Sequence, residues 1–294
     1  MNWKTRITQM TGIKYPLIMA AFAGSGRTEF AASFSNAGGL GIITALNYKL
    51  EDFKHELIKM KKLTDNPYGI NLTVIPPGVG FSNKNITKEE YLKYIEVAVD
   101  EGVNIFTTSA YHATYIGERI HETGGFWFHK CALMRHAISA QKAGADAITL
   151  IGMEAAGFKN PFQHTTLVNL TMAKELLQIP IIAAGGIGNA RGFLGALAMG
   201  AEAVCLGTAI LTTEESPIPL NVKEEWINTD IFSEEYHKQL YHRLLKGTRV
   251  PSAAIGFQKE IISVKNMVEN IMRKATDIVK SWGFTKEEFT TLNS

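Results

Sequence analysis

The chain has 294 residues, 46% of them hydrophobic, so it can bury one large core or two modest ones, and barrel folds run to ~250 residues as a single domain. Its formal net charge of +2 is spread without a basic block, which argues against a nucleic-acid partner. The two cysteines, Cys131 and Cys205, are too few for a disulfide framework, and neither a signal peptide nor an apolar run of ~18 residues is present, so we expect a cytoplasmic protein with no membrane partner.

Strand-like and helix-like patterns alternate along the chain. The predicted strands are apolar runs at Tyr15–Ala20, Leu40–Thr44, Tyr68–Ile75, Asn104–Ala110, Phe126–Ala132, Ala147–Gly152, Ile181–Ala184 and Ala203–Leu206. The predicted helices are Glu29–Asn36, Leu50–Leu63, Lys88–Glu101, Thr114–Glu122, Met134–Ala143, Leu167–Leu177 and Ala190–Met199. Thr28 and Asn189 are the predicted N-caps of the helices that follow them.

This alternation predicts the fold class, which is α/β. Continuous apolar strands indicate a parallel sheet covered on both faces, and eight repeats favour a closed (β/α)8 TIM barrel over an open doubly wound sheet. After Thr213 the repeat stops, and Glu224–Trp282 is predicted to be helical with an interruption at Gly247–Gly256. We therefore expect a barrel over residues 1–213 and a helical extension over 214–294 that packs on it as one structural unit. The sequence leaves open whether the extension forms a lid or the contact of a homodimer.

Two consecutive strands are predicted to end in glycines where a helix begins. The first lies in Pro180–Gly192 (PIIAAGGIGNARG) and the second in Ala203–Thr208 (AVCLGT). Glycine lets a ligand oxygen reach backbone N–H groups, and a helix N-terminus favours an anion. In such barrels the loops after strands seven and eight commonly bind phosphate. A phosphate cup is therefore predicted, although the glycines of tight turns give the same pattern. Its members are Gly185, Gly186, Gly207 and Thr208.

Other kinds of site are less well supported. Gly24–Gly26 follows a strand and opens a helix, but Glu29 stands where a dinucleotide fingerprint has its third glycine, and no acidic residue ends the next strand. A glycine turn at a barrel strand is favoured there. The sequence lacks the Gly-x-Ser-x-Gly turn of a serine hydrolase, and it has no cluster of residues with metal-ligand spacing.

Five motifs, taken in chain order, resemble those of one family. They are PLIMAAF at 16–22, SNAGGLG at 35–41, GMEAAG at 152–157, AAGGIG at 183–188 and GAEAVCLGT at 200–208. Over about Ile13–Ser216 the sequence is similar to the FMN-dependent barrel family that includes nitronate monooxygenase (2-nitropropane dioxygenase) and the FabK-type enoyl-acyl-carrier-protein reductase. The resemblance implies that the phosphate cup holds the phosphate of FMN.

The resemblance also implies which residues lie along the rest of the flavin. The backbone near Ala20, Ala21 and Phe22 would lie against the isoalloxazine ring. The other flavin-binding positions are Asn71, Lys130, Glu154, Gly157 and Ala184. Lys130 also ends an apolar run at a strand's carboxyl end, where a cation stabilises the negative charge of a reduced flavin. The alternatives are a lysine that extends to the surface and, for Glu154, a solvated carboxylate.

One position departs from the nitronate monooxygenase pattern. After strand six that pattern has Glu-Ala-Gly-Gly-His, whose histidine removes the proton alpha to the nitro group, whereas Glu154–Phe158 here has EAAGF. Phenylalanine cannot accept a proton, and general base catalysis is typically worth ~10²–10⁴-fold. Phe158 is therefore predicted to line an apolar substrate pocket, with hydride transfer as the main chemistry.

Several side chains are candidates for the proton donor that such a reaction needs. Lys159 is the first choice, as a donor or as a clamp on an anionic substrate. Tyr111 and His112 follow strand four at its catalytic end. His164, near the start of the next helix, is assigned to the substrate pocket or to a turn. His129 precedes Lys130 and is expected to point out of the barrel, because strand side chains alternate.

The sequence thus predicts an FMN-dependent oxidoreductase that takes electrons from NADH or NADPH. Its predicted substrate is a small molecule with a C=C bond conjugated to a carbonyl, either an enone or an enoyl thioester such as an acyl-CoA. Three alternatives stay open: a nitronate monooxygenase that oxidises alkyl nitronates with O2, a flavin-binding barrel without turnover, and a colourless barrel that acts on phosphosugars.

Overall fold

The barrel closes through parallel strands. The computed structural model describes residues 1–75, 86–111, 114–156, 164–241 and 251–283, and within them eight strands form one sheet in the order β1-β8-β7-β6-β5-β4-β3-β2. The strands are β1 (Leu17–Met19), β2 (Gly41–Thr44), β3 (Tyr68–Val74), β4 (Ile105–Ala110), β5 (Phe126–Cys131), β6 (Ala147–Ile151), β7 (Ile181–Ala184) and β8 (Ala203–Leu206). The Leu40 N–H donates to the Leu17 carbonyl at 2.8 Å, and the Met19 N–H donates to the Leu40 carbonyl at 2.9 Å, which closes the ring. The predicted (β/α)8 TIM barrel is confirmed.

Helices surround the barrel and continue beyond it. Within the described ranges they are α1 (Arg6–Thr11), α2 (Thr28–Asn36), α3 (Leu50–Leu63), α4 (Lys88–Asp100), α5 (Thr114–Glu122), α6 (Met134–Lys142), α7 (Thr166–Leu176), α8 (Ala190–Ala198), α9 (Thr208–Leu211), α10 (Leu220–Ile227), α11 (Glu234–Tyr241) and α12 (Val264–Ser281), with 3-10 helices at Ala45–Asn47 and Ala253–Phe257. The predicted bounds of every barrel strand and barrel helix lie within two residues of these.

Two features at the helix starts differ from the predictions. Thr28 is the first residue of α2, and the N-cap is Arg27, which makes no side-chain cap bond. Helix α1 was not predicted, although Thr5 and Thr8 form a capping box at its start. By contrast, Asn189 caps α8 as predicted, because its side chain accepts the Gly192 N–H.

The extension is less continuously helical than predicted. Helix α10 ends at Ile227, and the Asp230 side chain accepts the Phe232 N–H at 2.9 Å, which forms a turn that competes with helix. The last helix begins only at Val264, after the 3-10 helix Ala253–Phe257. Part of the predicted interruption, residues 247–250, lies outside the described residues.

Helix α12 packs on the barrel helices. Its buried side chains recur at helical spacing and contact α8 and α2. They are Val264, Met267, Val268, Ile271, Met272, Ala275 and Val279. Among the described helices, none has the length and apolar character needed to cross a membrane.

Alternation along the strands decides which side chains reach the barrel interior. A Cβ on Gly117 of α5 would lie 2.1 Å from the Trp127 ring, so Trp127 faces the helix layer. His129, two residues on, takes the same side, and its Nδ1 lies 2.8 Å from the Thr108 hydroxyl. Phe128 and Lys130 therefore face the interior. In the parallel register, Lys130 stands beside Thr149 of β6.

Candidate functional site

The turn after β7 requires glycine at two successive positions. Gly185 has φ +109° and Gly186 has φ +69°, in the left-handed region that side chains rarely adopt. A Cβ on Gly186 would lie 3.1 Å from the Glu154 Cβ, and one on Gly185 would lie 3.1 Å from the Gly152 carbonyl oxygen. A side chain at either position would therefore crowd Gly152 or Glu154, so glycine allows this turn to pack closely against the segment after β6.

The turn after β8 lies next to it, because β7 and β8 are paired. Thr208 is buried, and its hydroxyl oxygen accepts the Ser252 N–H at 3.1 Å, which leaves the hydroxyl proton able to donate. Within the described part of the chain, the N–H groups of the cup residues have no hydrogen-bond acceptor. These residues are Gly185, Gly186, Gly207 and Thr208. Unpaired amides at two adjacent glycine turns suit an anion such as a phosphate.

Glu154 fixes the geometry of this cup. Its carboxylate accepts the Thr166 N–H at 2.9 Å and the Thr166 hydroxyl at 3.0 Å, at the start of α7. The same hydroxyl lies 3.0 Å from the Gly185 carbonyl oxygen. A carboxylate at a helix N-terminus is favourable, and here it also ties the loop after β6 to the turn after β7. We call Glu154 and Thr166 the clamp.

The loop after β1 covers another part of the mouth. Asn47 donates to the Phe22 carbonyl at 3.2 Å and accepts the Gly24 N–H at 2.8 Å. Ala20 is buried, whereas Ala21 and Phe22 are half-buried. The Phe22 ring stacks on Phe30 of α2, so it is the backbone of this loop that borders the mouth.

The interior at the carboxyl ends of β3–β5 is polar. Asn71 is 1% exposed and donates to the Thr107 hydroxyl at 2.9 Å. Lys130 is half-buried and points inward, toward Cys205 on β8, where its charge opposes the rise that burial causes in the pKa of that thiol. Asn71 and Lys130 thus lie on the interior face that a cofactor anchored at the cup would cross.

The predicted catalytic and pocket residues, and the predicted flavin-binding residue Gly157, are only partly described. Tyr111 follows β4 and is 40% exposed at the mouth. His164 is exposed just before α7, and its carbonyl oxygen accepts the Met153 N–H at 2.9 Å. The remaining positions, His112, Gly157, Phe158 and Lys159, lie outside the described residues.

Sequence reasoning missed several residues that hold the site. Asn47 and Thr166 brace loops through bonds that span 25 and 12 positions along the chain, which no local pattern reveals. Ser252 and Gln258 come from the extension, and the Gln258 amide donates to the Gly188 carbonyl at 3.0 Å. The pair Thr165–Thr166 at the start of α7 was the available signal, since Thr165 is the N-cap of that helix.

Comparison with known proteins decides the family. A profile of the family described as nitronate monooxygenase matches residues 4–274. The chain belongs to the nitronate monooxygenase family. A probable nitronate monooxygenase of Staphylococcus saprophyticus is 32% identical over 250 residues, covering 74% of this chain and 70% of that protein. One from Staphylococcus aureus (strain JH9) is 30% identical over 260 residues, covering 77% and 73%.

Solved structures agree with this assignment. FabK from Thermotoga maritima superimposes with a TM-score of 0.79 at 26% identity and covers 95% of this chain and 98% of its own. Nitroalkane oxidase from Streptomyces ansochromogenes gives a TM-score of 0.79 at 19% identity and covers 94% and 100%, which supports the fold. The chain is therefore an oxidoreductase of a flavin-dependent family.

Proposed function

We propose that this nitronate monooxygenase family member is an FMN-dependent reductase of a C=C bond conjugated to a carbonyl. The observation that carries the proposal is Phe158, which stands where the family pattern has its basic histidine. Without that base, removal of a proton from a nitroalkane loses the ~10²–10⁴-fold that general base catalysis supplies. Hydride addition to an electron-poor alkene needs no such base.

The described residues fit FMN. The cup offers unpaired amides and the Thr208 hydroxyl to a phosphate, and glycine at positions 185 and 186 lets the turn that carries two of these amides pack against Gly152 and Glu154. Asn71 and Lys130 lie on the interior face where we place the ring, and the backbone of Ala20–Phe22 borders it. When bound, the flavin supplies two-electron transfer between NADH or NADPH and the substrate.

Each of these groups has a defined task in the proposal. The Lys130 ammonium stabilises negative charge on the ring. The clamp holds the glycine turn so that its amides stay oriented toward the phosphate. Lys159, His112 and Tyr111 are the candidate donors of the proton that the substrate's alpha carbon takes up, and Phe158 and His164 are assigned to the pocket.

Turnover with purified protein tests the proposal. Under nitrogen, 2-cyclohexenone and crotonyl-CoA should each be reduced to the saturated product at the expense of NADH or NADPH. Activity with propionate 3-nitronate but with neither alkene would refute it. A Phe158→His variant should gain oxidation of neutral nitroethane, and Phe162→His, four residues further along the sequence, serves as its control.

A second candidate is nitronate monooxygenase activity, which the family profile and the names of the curated relatives favour. An already ionised nitronate needs no base, so Phe158 does not forbid it. Comparison of ethyl nitronate with neutral nitroethane under air separates the two. This candidate predicts rapid oxygen uptake with the nitronate alone.

We further propose that residues 1–213 and 214–294 act as one unit, because Ser252 and Gln258 bond to the barrel's β8 and β7 turns. A protein truncated after residue 213 should then fail to retain FMN. Retention of FMN by that barrel alone would contradict the proposal.

A further inference from the structure

Four polar side chains line the interior on β3 and β4, across the barrel from the phosphate cup. They are Asn71, Thr73, Thr107 and Ser109. The strand register sets Asn71 beside Thr107 and Thr73 beside Ser109. The second pair lies two residues closer to the carboxyl ends, which is about 6.6 Å nearer the mouth at a strand rise of ~3.3 Å per residue.

The Asn71–Thr107 pair, which lies further from the mouth, sets the direction of the hydrogen bonds in this group. The Asn71 amide nitrogen donates to the Thr107 carbonyl at 3.2 Å and to the Thr107 hydroxyl at 2.9 Å. Its Oδ1 therefore faces the mouth, where it accepts the Thr73 hydroxyl at 2.9 Å. Thr73 is thus committed to Asn71.

Ser109 is the member without a short bond. Its hydroxyl lies 3.4 Å from Asn71 Oδ1 and 3.3 Å from Thr73 Oγ1, whereas O–H···O bonds are usually about 2.7–2.8 Å. The side chain is half-buried, so it is open to the mouth. Its proton can therefore turn to a better acceptor at small cost.

The backbone beside Ser109 is strained. Ala110 has φ +73°, and no other non-glycine residue in the described part of the chain has a positive φ. Such a conformation is unfavourable for a residue with a side chain, and strained residues concentrate at ligand-binding sites. Here the left-handed residue ends β4 immediately after Ser109, which holds that serine at the rim.

We propose that the Ser109 hydroxyl binds the carbonyl oxygen of the conjugated substrate, and that Thr73 and Asn71 position it. This assignment rests on the proposed reductase function. As hydride adds to the beta carbon, the C=C electron pair shifts so that negative charge develops on the carbonyl oxygen as an enolate, and a proton then adds to the alpha carbon. The hydride comes from NADH or NADPH through the flavin. A hydrogen bond donated to that oxygen is stronger in the charged enolate-like species than in the neutral substrate, so it lowers the barrier.

The test uses Ser109→Ala in the FMN-loaded protein, with Ser139→Ala on the exposed surface of α6 as the matched control. Binding is measured by calorimetry with 2-cyclohexenone and with cyclohexene, which lacks the oxygen. We expect Ser109→Ala to weaken cyclohexenone binding about 3–10-fold, as loss of one neutral hydrogen bond implies, and to leave cyclohexene within twofold. Ser139→Ala should change neither.

Rapid-reaction kinetics provide the second readout. Ser109→Ala should slow enone reduction 10–100-fold, while bleaching of the flavin by NADH or NADPH stays within twofold of wild type. Equal enone binding and reduction by Ser109→Ala and wild type would overturn the assignment of Ser109 while leaving the proposed reductase intact. A wild-type protein that binds and reduces no conjugated carbonyl would instead overturn the proposed function and this inference with it.

Discussion

Replacement of Thr166 by valine would remove the hydroxyl of the clamp and keep its shape. The lost hydroxyl lies 3.0 Å from both the Glu154 carboxylate and the Gly185 carbonyl oxygen, which share its one proton, whereas the Thr166 N–H still reaches Glu154. Hydrogen bonds to charged groups contribute about 1.5–3 kcal/mol. Because Glu154 is half-buried and can recruit water, we expect the lower end, about 1.5 kcal/mol, in the free energy of unfolding.

The matched control is Thr171→Val, on the exposed side of the same helix. Urea unfolding of the apoproteins should show the loss for Thr166→Val with an unchanged m-value, and little change for Thr171→Val. Quenching of FMN fluorescence should give a dissociation constant about tenfold higher for Thr166→Val, because the glycine turn is less preorganised. Equal stability and equal FMN affinity of the two variants would refute the clamp's role.

Three further predictions concern other parts of the molecule. Gly186→Ala should weaken FMN binding at least tenfold, since left-handed alanine costs about 1–2 kcal/mol and its methyl meets Glu154; Gly195→Ala, in open space on α8, should bind FMN normally. Lys223→Met should lower the free energy of unfolding by about 2–3 kcal/mol, because the buried ammonium donates to three backbone carbonyls. Replacement of the exposed Lys238 by methionine should leave it unchanged, and equal urea midpoints of the two variants would contradict this prediction. Burial raises the pKa of both cysteine thiols, so the thiols ionise first in the unfolded chain, and the free energy of unfolding in urea should fall as pH rises above ~8.5. A variant with both cysteines replaced by alanine should show a shallower fall with pH. An equally steep fall in that variant would contradict the role of the buried thiols.

The barrel strands and helices were predictable because their signals are local. Ile181–Ala184 and Ala203–Leu206 are apolar runs bounded by proline or glycine, and their observed limits equal the predicted ones. Burial on both faces of a parallel sheet requires such runs, so the strands can be recognised directly in the sequence. Helix α1 escaped prediction because a six-residue helix leaves almost no periodic pattern.

The contacts that shape the site were not predictable in the same way. Glu154 was assigned to the flavin from its motif, but its carboxylate is bonded to Thr166, a contact between residues twelve positions apart that no local motif indicates. The support that Ser252 gives to Thr208 spans 44 positions and depends on how the extension folds back. The glycine turns could be predicted, because glycine is the residue that adopts a positive φ without strain and so indicates such a turn by itself.

The relative affinity of the apoprotein for FMN and riboflavin tests the central claim most directly, because these flavins differ only in the phosphate. If unpaired amides at the two glycine turns bind that phosphate, two charge-assisted bonds of about 1.5 kcal/mol each predict that FMN binds at least ~10²-fold more tightly. Equal dissociation constants, measured by fluorescence quenching at the same ionic strength, would contradict the account.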